Sequence, residues 1–232
     1  MGERKSVRWL KGLAHFWKDL LLLVLGIYLA LWMENTVEGW NNDKKQRDYM
    51  HRLSLDLASD ESQIEALLPQ LNLKITKLQS GIHFLQSPDL DHLQHEAAKQ
   101  ALDIANAVNN YYFFTPQDFT FLSMRESGDF GLLVDDNIKT ELLQLNARYK
   151  FINLLQKNFM QGLDDEFIPM WIRHADMVSN TLLKPEIITT PIFKNMVAFA
   201  YNETNQRKII LNETIQRVKE LRIKLQIASQ QE

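Results

Sequence analysis

The chain contains no cysteine, and only six prolines and eight glycines in 232 residues. Without cysteine there is no disulfide, no thiolate metal ligand and no cysteine nucleophile. So few turn residues argue against a β-sandwich or an α/β enzyme, which need many tight turns. A strong charge of either sign is missing too, since the net charge is −3. The first forty residues hold five basic and four acidic side chains, which leaves −4 for the remainder. No basic surface follows, and this argues against nucleic acid as the main partner.

Uninterrupted apolar runs are just as scarce. The single one is Leu20 to Met33, LLLLVLGIYLALWM, set between Lys18–Asp19 and Glu34. At roughly 1.5 Å per residue it covers about 21 Å, short of a bilayer core of about 30 Å. Phe16, Trp17, Trp32, Val37 and Trp40 extend it, and Lys18 can snorkel to the interface. A cleaved signal peptide needs small residues at its cut site, whereas this run ends in Leu31, Trp32 and Met33. A buried core helix has the same length signature. A helix lying flat in the interface does not fit a stretch that is apolar all round. The reading adopted is a transmembrane anchor over residues 20–40, preceded by an interfacial lead-in, 1–19, and followed by an extramembrane helical domain, 41–232.

Arg4, Lys5, Arg8, Lys11 and Lys18 precede the run, and Lys44 is the first basic residue after it. The positive-inside rule then places the N-terminus in the cytoplasm and the domain outside. Gly26, Ala30 and Glu34 fall on one line at four-residue steps. Small residues so spaced let two membrane helices approach closely, and a carboxyl at the boundary can bond across the contact. These three are the candidate membrane-helix contact. The bland alternative is an incidental glycine and a headgroup carboxylate.

Beyond the anchor, Leu, Gln, Lys, Glu and Asn dominate and the spacing is helical. Leu53, Leu57, Asp60, Ile64, Leu67, Leu71, Ile75, Leu78, Ile82 and Leu85 form one stripe at three- and four-residue steps. Such a stripe is a coiled-coil seam or a bundle face, and the interruptions by Asp60 and Pro69 favour a bundle. Pro69 predicts a kink or a division into two helices. Ser87-Pro88, Thr115-Pro116, Asp136 and Thr190-Pro191 read as helix starts, giving helices near 90–109, 116–126, 137–162, 164–182 and 191–228. Ser127-Gly128 marks a turn. The last helix carries Leu211, Ile215, Val218, Leu221 and Leu225 and must return along the long first one. The fold class is all-α, a multi-helix bundle.

Chemical signatures are weak. His92 and His95 with Asp89, Asp91 and Glu96 could ligate a metal, but acids near a helix start are ordinary. Asp164, Asp165 and Glu166 suit acid/base work only if burial separates their pKa values. No phosphate-binding glycine loop, nucleophile elbow or H-E-x-x-H occurs. No cofactor and no metal are expected. Tyr111, Tyr112, Phe113 and Phe114 are the candidate partner or ligand surface, against the commoner reading of aromatics as core.

Two stretches carry a family likeness. One is Leu25-Gly26, Ala30-Leu31, Trp40-Asn41, Tyr49-Met50, Arg52-Leu53 and Asp56-Leu57. The other is Phe121-Leu122, Ser127-Gly128, Leu132-Leu133, Leu142-Leu143 and Tyr149. Together they resemble a family of bacterial single-pass membrane proteins of uncharacterised function. The resemblance implies a bacterial inner-membrane protein with an all-helical periplasmic domain, and no reaction. The expected function is a non-enzymatic interaction or scaffold protein, self-associating or accessory to another membrane protein. The alternative is a periplasmic ligand-binding sensor. A closed apolar cavity beside the aromatics favours the sensor and a filled core the scaffold.

Overall fold

The computed structural model describes residues 3–87 and 94–230, with side chains for residues 17, 18, 20–87 and 98–229. Helix α1, Glu3–Leu85, is the first element. It is followed by α2, Gln94–Asn109, α3, Phe119–Ser127, and α4, Asp136–Gly162. A π-helical turn, Leu163–Phe167, leads into the short α5, Ile168–Ile172. A two-residue hairpin follows, β1, Ala175–Asp176, with β2, Thr181–Leu182, and then the closing helix α6, Pro191–Gln230. The fold is all-α.

The chain divides into two units, 1–49 and 50–232. In the first, every side chain from Leu20 to Glu34 is exposed. Its most apolar 18-residue stretch has mean hydropathy 1.8 and none of it is buried in the protein. The helix is therefore long and apolar enough to cross a membrane, and the buried-core reading of this run does not hold.

In the second unit the stripe on α1 faces inward. Leu53, Leu57, Ile64, Leu67, Leu71, Leu78 and Leu85 are buried, with Ile75 and Ile82 half-buried. Helix α6 does return along α1. Leu211, Ile215, Val218, Leu221 and Leu225 are buried, and Lys219 and Arg222 bridge Glu61 at 3.6 and 3.1 Å. Pro69 does not divide α1. It lies on the exposed face, where water can satisfy the carbonyl that its missing N–H leaves free, while Leu67 and Leu71 hold the opposite face in the core.

Other starts differ from the sequence expectation. Asp135, not Asp136, caps α4, accepting from Asn137 N at 2.7 Å and Ile138 N at 3.3 Å. Replacing Asp135 with alanine should lower stability by about 1 kcal/mol in a chemical melt, while Asp136→Ala should leave it nearly unchanged. Thr115-Pro116 does not open a helix, because α3 begins only at Phe119. Thr190 does cap α6, through Phe193 N at 3.4 Å. Ser87-Pro88 runs into residues outside those described.

No helix spans 164–182. Asp176 Oδ1 instead accepts from Val178 N at 2.9 Å and Ser179 N at 3.3 Å, and Asn180 takes φ 52°. Short polar side chains here offer the backbone a turn that competes with helix, and a left-handed asparagine closes it. Trp171 packs beneath, stacked between Phe167 and Phe193 at 6.0 Å from each.

Candidate functional site

Residues 110–118, between α2 and α3, form neither helix nor strand. A buried irregular backbone must find partners for its N–H and C=O groups. Here side chains of three helices supply them. Gln156 of α4 accepts from Phe114 N at 2.8 Å and donates to Phe114 O at 3.0 Å. From α1, Gln63 accepts from Thr115 N at 2.8 Å and Asp60 from Gln117 N at 2.8 Å. Asp56 accepts from Thr120 N at 3.3 Å.

The carbonyls are held by cations. Lys74 Nζ donates to Val108 O at 3.2 Å and to Asn110 O at 2.5 Å. Arg207 Nη1 of α6 donates to Tyr112 O at 3.1 Å. Both cations are buried, Lys74 at 3% and Arg207 at 2% exposure. The aromatic rings lie between them. The Arg207 guanidinium sits 4.1 Å from the Tyr111 ring centre, and Lys74 Nζ 4.9 Å from that of Phe159. Phe159 stacks on Tyr111 at 5.0 Å and on Phe199 at 5.6 Å. An aromatic face attracts a desolvated cation by up to about 2 kcal/mol, which offsets part of the cost of burial.

These surroundings shift the ionisations. Burial, with the Arg207 charge beside it, brings the Lys74 amine down to about 7. Burial lowers Arg207 as well and lifts the Tyr111 phenol to about 12. At the other end of the connection Asp60 is 1% exposed and accepts from Tyr149 Oη at 2.5 Å. Burial raises the Asp60 carboxyl to about 6, against the hydrogen bonds of Tyr149 and Gln117, which favour its charged form.

No family model, no curated protein and no solved structure matches this chain.

Of the candidate aromatics, Phe114 is core rather than surface, 1% exposed and edge-on to Tyr149 at 5.6 Å. Tyr111 and Tyr112 are half-buried, and Phe113 is the exposed one. The space against Tyr149 and Phe121 amounts to about 20 Å³, room for about one water. A larger cleft of about 650 Å³ lies elsewhere, between α1 and α2, and its walls include Thr76, Lys77, Ser80, Lys99 and Asp103. Gly81 sits at its edge, where an added Cβ would come within 2.7 Å of Ile104. Asp164, Asp165 and Glu166 are exposed on the π-helical turn. Asp89, Asp91 and His92, with the side chains of His95 and Glu96, lie outside the described residues. Among those described, no group of three or more His, Cys, Asp or Glu is placed to hold a metal.

Gly26, Ala30 and Glu34 are exposed on their helix, and a Cβ on Gly26 would meet nothing within 4 Å. Lys74 and Arg207 were not among the candidates from sequence. Their one signal is position, since Lys74 falls between Leu71 and Leu78 on the buried stripe and Arg207 four residues before Leu211.

Proposed function

We propose that this chain is a membrane-anchored, non-enzymatic interaction or scaffold protein of the bacterial inner membrane. Its N-terminus faces the cytoplasm and its helical domain the periplasm, and copies associate with one another or with another membrane protein. The observation that carries the reading is the fully exposed apolar surface of residues 20–33, which lipid and other membrane helices would cover. The sensor alternative draws less support, because Tyr111 and Phe114 pack on Phe159 and Tyr149 rather than around an apolar cavity.

In this reading the association runs through Gly26, Ala30 and Glu34. One helix line carries all three, and a carboxyl facing lipid would be costly. Leucine at position 26 has open space around it within one chain, so its effect reads the contact rather than the fold. Gly26→Leu and Ala30→Leu should each reduce the oligomer mass of protein extracted in mild detergent, and Lys45→Gln should not. Light scattering that returns the wild-type mass for both leucine variants removes this contact. Assembly would then rest on the extramembrane helices.

A further inference from the structure

The cleft between α1 and α2 holds about 650 Å³, within the roughly 300–1,000 Å³ of small-molecule sites. Its floor is apolar, made of the buried Gly81, Ile104 and Ala107. Its walls are polar, with Lys77 and Ser80 exposed on α1 and Lys99 and Asp103 exposed on α2. Among the described residues, Lys77, Lys99 and Asp103 take part in no ion pair. Their charges are therefore available to an occupant of the cleft.

The order of these groups along the cleft says what fits. The two helices run antiparallel, since Lys74 on α1 reaches Val108 O and Gly81 faces Ile104. On that register Lys77 and Lys99 stand at opposite ends of the cleft, about 12 Å apart along the helix axes. Ser80 and Asp103 lie between them, each the chain neighbour of a residue in the Gly81–Ile104 contact. A lysine on a flexible stem attracts an acid group at either end. The central carboxylate repels such a group and accepts from a hydroxyl instead. No aromatic ring is among the lining residues, so a nucleobase has nothing to stack on.

We propose that this cleft binds an elongated small molecule with an acid group, carboxylate or phosphate, at each end and hydroxyls between. Lys77 and Lys99 each hold one acid group, and Asp103 and Ser80 take the central hydroxyls. The site goes beyond the scaffold reading and does not rest on it, because none of its residues belongs to the membrane helix.

The test is isothermal titration of the full chain in mild detergent with two probes, galactarate and fructose bisphosphate. Galactitol, which lacks the acid groups, and adipate, which lacks the hydroxyls, are the controls. The expected result is saturable one-to-one binding of at least one probe, with both controls weaker by about tenfold or more. Binding of galactarate alone assigns carboxylate ends, and binding of the bisphosphate alone assigns phosphate ends. Equal binding of both assigns the site to charge and spacing. Lys77→Gln and Lys99→Gln should each weaken binding about tenfold, and the exposed Lys150→Gln should leave it unchanged. All three positions are exposed, and superimposable thermal melts check that the variants keep the fold. No saturable binding of either probe overturns the proposal, as does binding that both cleft lysine variants leave unchanged. Adipate binding as tightly as galactarate overturns the part given to Ser80 and Asp103. A negative titration leaves the oligomer mass of the leucine variants to decide the membrane-helix contact by itself.

Discussion

Phe159→Ala is expected to lower the unfolding free energy of the helical domain by about 3–5 kcal/mol, the range for truncating a buried aromatic. Phe159 is fully buried, with Tyr111 and Phe199 stacked on it and Lys74 and Arg207 over its ring. Alanine removes transfer energy and leaves a cavity, and it also strips two desolvated cations of an aromatic face. Phe159→Leu keeps most of the volume but not the π face. Its loss should be smaller, the difference from alanine measuring the cavity, and what remains for leucine containing the cation contribution. Urea melts followed by circular dichroism give both values. A loss below about 1 kcal/mol for alanine would mean that the ring is not central to the core.

The second large effect is an inverted pH profile. Asp60 titrates at about 6 in the folded chain, against 3.8 for an ordinary aspartate. Between those values the folded state binds more protons, so this group's stabilisation is full below about 4 and fades as pH rises through 6. Lys74 runs the other way, from an ordinary 10.5 to about 7. The unfolded state then binds more protons between 7 and 10.5, so stability climbs with pH across that window. Together the two groups place a stability minimum between about pH 6 and 7, where many proteins are most stable. The acid limb is worth about 2–3 kcal/mol and the alkaline limb about 4–5 kcal/mol at most, from 1.36 kcal/mol per unit. Asp60→Asn should flatten the acid limb alone, and Lys74→Met the alkaline limb alone. A profile with its maximum near neutrality, unchanged by either substitution, would show that neither group is held as buried as the fold places it.

These effects arise from groups that sequence reading treats differently. Asp60 breaks the periodic stripe on α1, and its position alone says that a carboxyl enters the core. Its partners do not follow from position. Tyr149 lies 89 residues away on α4, and Gln117 is on a connection with no regular structure. Lys74 sits on the same stripe, yet a lysine one step from a buried face usually turns its amine to water. Here the carbonyls of Val108 and Asn110 meet it inside.

Local patterns sufficed for much of the fold. Three- and four-residue spacing placed the buried faces of α1 and α6 with most of their members, because an amphipathic helix must bury the side on which its apolar residues recur. The scarcity of glycine and proline excluded the sheet classes, and the run from Leu20 to Met33 marked itself by composition. Competition between nearly equal local options was settled only in the folded chain. Pro69 stays within one helix because its free carbonyl faces water. Residues 173–182 turn instead of coiling because Asp176 and Asn180 offer the backbone other bonds. The 110–118 connection is held by Gln63, Gln156, Lys74, Asp60 and Arg207, drawn from three helices far apart in sequence. Their convergence depends on how those helices pack, which no periodicity encodes.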